Sequence, residues 1–130
     1  MKLLLDTNVF LRWVGGGILP RRVATQIEKA EELHVSIVTP WELAIKQRRD
    51  PSKKLITGVQ LWTAMGQMGA RILPIKREHV AGLAVLPEHH HDPFDRMIIA
   101  QGIQEQLTVV SSDERFPEYK PAGLNLLWQQ

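Results

Sequence analysis

Four acidic residues stand where short apolar runs give way to helix or turn signals. Asp6 follows Leu3-Leu4-Leu5, Glu42 comes shortly after Ile37-Val38, Asp95 closes Asp92-Pro93-Phe94-Asp95, and Asp113 comes after Val109-Val110. Carboxylates gathered in a cleft repel one another, and at least one of them would hold a proton. A divalent cation removes that penalty. An all-oxygen set of Asp and Glu suits Mg2+ or Mn2+ better than Zn2+, which favours nitrogen and sulfur ligands. Such an ion lowers the pKa of a bound water, orients it and neutralises charge on a phosphate. Phosphodiester hydrolysis is the reaction that this equipment fits best.

Each acid also has a purely structural use. Glu42, three residues after Thr39 in Thr39-Pro40-Trp41-Glu42, has the spacing of a capping-box glutamate and stands one turn before Lys46, a natural ion-pair partner. Asp95, at the third position of its helix, would favour the helix dipole with or without an ion. Asp113 in Ser111-Ser112-Asp113 suits a turn. Asp6 suits a helix start, but directly after three leucines it also lies beside a core. Asp92, just before Pro93, reads as an N-cap that positions Asp95 and not as a ligand.

These acids are far apart in sequence, so only a fold can bring them together. The chain has 130 residues, which favours one domain over 1–130 with a core that needs no disulfide or structural metal. It contains no cysteine, which excludes a disulfide framework, thiolate-bound zinc and a thiol nucleophile, and fits a reducing cytoplasm. Sixteen Lys and Arg against 14 Asp and Glu give a net charge of +2, too balanced to indicate a nucleic-acid partner by itself. No apolar run approaches the roughly 20 residues of a membrane span. Asp6 cuts the N-terminal apolar run well short of a signal peptide's roughly 7–15 apolar residues. The expectation is a cytoplasmic protein without membrane attachment.

Apolar runs alternate with helical stretches. Strands are expected over 3–5, 34–38, 70–75, 107–111 and 125–128. Helices are expected from Thr7 or Asn8 as cap to Trp13, over 20–33, from the Thr39 cap to Arg49, over 59–68, over 78–83, and from the Asp92 cap to Gln106. Strands separated by helices require crossovers, hence a mainly parallel five-stranded sheet between helical layers, an α/β/α sandwich. In such sheets functional groups collect beyond the carboxyl ends of the strands. That rule selects Asp6, Glu42 and Asp113, with Asp95 in the first turn of a helix at the same edge.

Leu4-Leu5-Asp6-Thr7-Asn8, Trp41-Glu42-Leu43-Ala44, His91-Asp92-Pro93-Phe94-Asp95-Arg96-Met97-Ile98-Ile99-Ala100 and Ser111-Ser112-Asp113 occur in an order and spacing that resemble the PIN-domain ribonucleases. Within that family they resemble the VapC-type toxins of toxin–antitoxin modules. The resemblance covers essentially the whole chain. It implies an endoribonuclease that cleaves single-stranded RNA with Mg2+ or Mn2+ held by Asp6, Glu42, Asp95 and Asp113. Thr7 or Asn8 and Ser111 match polar positions that line the site; the family often has Thr where Ser111 stands. The resemblance also implies a cognate antitoxin, whose basic side chain reaches the acids, and a homodimer.

Other residues compete for roles. His89-His90-His91 reads as a solvated loop, since adjacent histidines do not readily converge on one ion; contact of one with an RNA phosphate is the functional alternative. Lys46, Arg48, Arg49, Lys53 and Lys54, and Arg12, Arg21 and Arg22, are basic groups able to attract a phosphate backbone or simply to solvate helix faces. Arg96 points away from Asp95 around the helix and reads as structural. Trp13, Trp41, Trp62 and Trp128 read as core or interface, and Trp62 with Met65 and Met68 as a candidate homodimer face. Gly15-Gly16-Gly17 lacks the Gly-Lys-Ser/Thr ending of a phosphate loop.

Two other functions fit part of the pattern. An aspartyl-phosphate phosphatase would use Asp6 as nucleophile but needs a second acid two residues on, where Asn8 stands. A non-catalytic binding protein of the same fold would use the acids only as caps.

Overall fold

Leu3, Leu4 and Leu5 are completely buried, as a strand covered on both faces requires. They form the central strand of the sheet in a computed structural model that describes residues 1–128. The elements are β1 (Lys2–Leu5), α1 (Thr7–Val14), α2 (Arg21–Lys29), β2 (Glu32–Ser36), α3 (Val38–Arg49), α4 (Gly58–Gln67), β3 (Ala70–Leu73), α5 (Arg77–Leu83), α6 (Pro93–Glu105), β4 (Thr108–Val110) and β5 (Asn125–Leu127). Short 3-10 segments span Pro51–Lys53 and Phe116–Ala122.

The strands lie in the order β3-β2-β1-β4-β5, and every pair is parallel. Side chains alternate across the central strand. Leu3 and Leu5 pack with Val9 and Phe10 of α1, Val23 and Ile27 of α2, and Leu61 and Met65 of α4. Leu4 faces the other layer, with Met97, Ile98 and Ile99 of α6 and with Phe116 and Tyr119. The result is the α/β/α sandwich expected from the alternation of elements.

Several boundaries differ from the sequence expectation, and three of the differences matter for the site. β2 starts at Glu32, not at His34, because Lys2 pairs with Glu32 and Leu5 with Val35. The strand therefore ends at Ser36, whose hydroxyl accepts the Val38 N–H at 3.1 Å. α3 then begins at Val38, so Thr39 lies inside its first turn and is not its cap. Pro40 stays within that first turn, where its missing N–H costs nothing. At the start of α1 the cap is Asp6 itself, which accepts the Val9 N–H at 2.8 Å, and not Thr7 or Asn8.

The 3-10 segment Phe116–Ala122 is absent from the sequence expectation. It buries Phe116 and Tyr119 beneath α6, and their i, i+3 spacing is the signal that marks such a turn.

Candidate metal centre

The three strands that carry the site are adjacent. From β1 the chain crosses to β2 and β3 on one side, and β4 and β5 lie on the other. The order therefore reverses between β1 and β4, the crevice where parallel sheets bind ligands. Asp6 follows β1 and Asp113 follows β4, one on each side of that reversal. The Asp6 N–H still donates to the Val110 carbonyl at 3.1 Å, so its side chain leaves directly from the sheet edge. Glu42 reaches in from α3, which leaves β2, and Asp95 from the first turn of α6.

Asp95 and Asp113 meet closely. An oxygen of each lies 3.0 Å from His90 Nε2, and the three ligand atoms fall within 4.8 Å of one another. Asp6 and Glu42 are each only 4 % exposed. Asp6 feels the charges of Asp113 and Glu42, and Asp95 those of Asp6, Glu42 and Asp113. The four carboxylates thus share one electrostatic environment, although only Asp95 and Asp113 join His90 in the tight cluster.

Burial raises the Asp6 carboxyl to about 6, with Asp113 and Glu42 adding to the rise and hydrogen bonds from Ser111 and Val9 opposing it. Burial pushes Asp95 further, to about 8, helped by Asp92, Asp6, Glu42 and Asp113. Groups that bind protons so readily near neutral pH are short of positive charge. That shortage, in a donor set of carboxylate oxygens, fits a hard divalent cation of the Mg2+ or Mn2+ type.

Glu42 is not a capping-box residue, because α3 starts too early for one. Its Oε1 accepts the Thr7 hydroxyl at 3.0 Å and its Oε2 meets Lys46 Nζ at 2.7 Å. The ion pair with Lys46 anticipated from spacing is present, and it raises the Lys46 pKa. Asp92 is the N-cap of α6, accepting the N–H groups of Phe94 at 2.8 Å and Asp95 at 3.2 Å. Asn8, where a phosphatase would need its second acid, is exposed.

One expectation is overturned at this edge and another on α4. His89-His90-His91 is not a uniformly solvated loop: His90 is 4 % exposed and sits against two of the acids. A single histidine turned inward makes this contact, with no need for its two neighbours to converge on the same point. The tryptophans, expected in core or interface, include a buried Trp128 and the exposed Trp41 and Trp62. Trp41 is 55 % exposed, with its ring edge-on to Phe94 at 5.0 Å, directly before two of the acids in sequence. On α4, Trp62, Met65 and Met68 do not form the one free face expected of them, since Met65 belongs to the core.

Arg96 is structural, as its position suggested. Its guanidinium donates to the carbonyls of Pro87, His90 and Leu86 and to the Tyr119 hydroxyl.

The chain belongs to the PIN domain family, a family of nucleases, whose model matches residues 3–120. No curated protein matches it. Among solved structures it is similar to VapBC2 from Rickettsia felis bound to a DNA fragment from their promoter, with a TM-score of 0.68, 16% identity and 98% of each chain covered. It is similar to DNA-bound VapBC from Salmonella typhimurium, with a TM-score of 0.68, 18% identity and 98% of this chain and 97% of that one covered. FitAcB from Neisseria gonorrhoeae gives a TM-score of 0.63 at 22% identity, with 97% and 96% covered. At these identities the structures establish the fold. Among the described residues, no helix is long and apolar enough to cross a membrane.

Proposed function

We propose that the chain, acting as a single domain, is a metal-dependent endoribonuclease that hydrolyses phosphodiester bonds of single-stranded RNA. The observation that carries this reading is the group of four carboxylates around the β1–β4 reversal, with Asp6 and Glu42 buried and the Asp6 and Asp95 carboxyls raised, in a chain of the PIN nuclease family. Asp6, Glu42, Asp95 and Asp113 would hold Mg2+ or Mn2+. When bound, the ion would activate a water and neutralise charge on the scissile phosphate. The protein's part is to keep the acids in place: β1 and the α1 cap fix Asp6, Thr7 and Lys46 fix Glu42, and Asp92 fixes the turn that bears Asp95.

The same fold in the VapBC and FitAcB structures, matched over nearly the full length of both chains, supports a toxin role for this chain, with a cognate antitoxin as its partner. We place it in the cytoplasm, as a homodimer.

The test is cleavage of a single-stranded RNA with Mn2+, with Mg2+ and with EDTA. Asp6→Asn and Asp95→Asn are the variants of choice, because Asn at position 6 keeps an acceptor for the α1 cap. Both variants should fold and lose cleavage. Retained cleavage in both, or cleavage indifferent to EDTA, would overturn the proposal. A folded wild type that binds RNA but never cuts it favours the binding-protein alternative.

A further inference from the structure

His90 is held on every side. Its neighbours His89 and His91 are exposed, yet its own side chain is buried. The backbone N–H groups of His89 and His90 both donate to the Tyr119 hydroxyl, at 3.0 and 2.9 Å, and that hydroxyl donates to the Pro87 carbonyl at 2.8 Å. Arg96 reaches the His90 carbonyl at 3.3 Å. The imidazole packs edge-on to Phe116, with ring centroids 5.9 Å apart. This is the surrounding of a group with a fixed orientation.

The hydrogen bonds also fix where its proton sits. Nδ1 lies 3.2 Å from the Asp92 N–H, which is a donor, so Nδ1 must accept. The neutral ring then carries its hydrogen on Nε2. That Nε2–H donates to Asp113 Oδ2 at 3.0 Å, while Asp95 Oδ2 lies 3.0 Å from the same nitrogen without a hydrogen bond. The other oxygen of Asp113 accepts the Arg115 N–H at 2.8 Å. The two carboxylates come from unrelated elements, the first turn of α6 and the loop after β4. Left alone they would repel and splay. His90 stands where it can prevent that.

We propose that His90 is a positioning residue of the cation site: its Nε2–H, set by the Asp92 N–H on Nδ1, holds Asp113 Oδ2 close to Asp95 Oδ2, so that both carboxylates stay within reach of one ion. The inference rests on the metal-site reading given above. His90 is not itself a ligand in this arrangement. Binding an ion through Nε2 would move the hydrogen to Nδ1, where it would face the Asp92 N–H. Outer partners of this kind change metal affinity by about 10–100-fold when removed.

The experiment is a Mn2+ titration, by calorimetry, of the wild type, His90→Ala, His90→Gln and His90→Asn, each checked for folding by thermal melting. The two amides separate the two ends of the ring. Gln reaches the Nε2 position with an N–H donor, whereas Asn supplies only the acceptor near Nδ1 that the Asp92 N–H needs. The Ala and Asn variants should lose about 10–100-fold in Mn2+ affinity and Gln should recover most of it. Recovery by Asn and not by Gln would reduce His90 to a turn residue and overturn the inference. So would wild-type affinity, or tighter binding, in the Ala variant. If the Ala variant does not fold, the Gln and Asn pair still decides.

A second measurement needs no metal. Long-range 1H–15N spectra of the ring should show hydrogen on Nε2 and none on Nδ1, and the reverse overturns the inference. A wild type that shows this tautomer but binds no Mn2+ overturns the metal-site reading itself, and the positioning role with it.

Discussion

The Thr7 hydroxyl donates to Glu42 Oε1 at 3.0 Å and, with its hydrogen so committed, receives the Thr39 hydroxyl at 2.9 Å. All three side chains are buried. The relay joins the start of α1 to the start of α3 across the carboxyl ends of β1 and β2.

Thr7→Val keeps the shape of this link and removes its hydrogen bonds. It leaves Thr39 and one Glu42 oxygen without their partner, at a cost of about 1–3 kcal/mol. Denaturant unfolding should show that loss, and Mn2+ affinity should fall with it. Thr7→Ser should restore both. An unchanged midpoint and affinity in Thr7→Val would show that the relay contributes nothing.

Lys46 holds the oxygen of Glu42 that Thr7 does not, so its ammonium competes with a cation for the same carboxylate. Lys46→Met should therefore bind Mn2+ more tightly. It should bind single-stranded RNA more weakly, with the salt slope of log K reduced by roughly 0.7, the value of one phosphate contact. Calorimetry and RNA binding at several salt concentrations test the two halves separately. Weaker Mn2+ binding in this variant would show that Lys46 supports the site instead of competing for it.

The raised carboxyls make stability depend on pH in a direction that can be worked out. Asp6 rises from 3.8 to about 6 and Asp95 from 3.8 to about 8. The folded state thus binds their protons more tightly than the unfolded chain. Their contribution is fully present below pH 4 and is lost as pH rises through about 6 and then about 8. Metal-free protein should lose on the order of a few kcal/mol from these groups between pH 5 and 9. Saturating Mn2+ should flatten that slope, and the stabilisation it confers should grow with pH and level off above about 8. Thermal melts with and without Mn2+ would show this. A metal increment that shrinks with rising pH would be inconsistent with it.

Arg96 supports the loop that carries His90. Its guanidinium engages three carbonyls and the Tyr119 hydroxyl, with distances from 2.9 to 3.3 Å. Arg96→Met should cost about 1.5–3 kcal/mol, the range for a hydrogen bond to a charged group. Arg96→Lys should recover little of it, because one ammonium cannot reproduce the planar fork. Unfolding midpoints measure both. Amide exchange over 86–91 should quicken in both variants while that of β1 stays unchanged.

The sequence alone determined the kind of fold and singled out the four acids as candidates. The fold follows from local chemistry; the choice of acids follows from it together with the resemblance of their motifs to the PIN-domain ribonucleases, on which Asp113 depends most. Three adjacent leucines, the alternation of apolar runs with helical periodicity, and Asp92 before Pro93 leave few arrangements that bury the apolar surface and cap the helices. Tertiary structure decided how the acids are held. The pairing of Lys2 with Glu32 set the end of β2, moved the start of α3 to Val38, and so took Glu42 out of a capping box and placed it against Thr7. The site's most closely held neighbour, His90, was hidden for the same reason. Its partners Asp113 and Tyr119 are 23 and 29 residues away, and no local pattern records which of three loop histidines turns inward. The four acids are therefore legible in the chain. The burial of Asp6 and Glu42, the raised proton affinities of Asp6 and Asp95 and the imidazole beside Asp95 and Asp113 exist only where separate elements exclude water together.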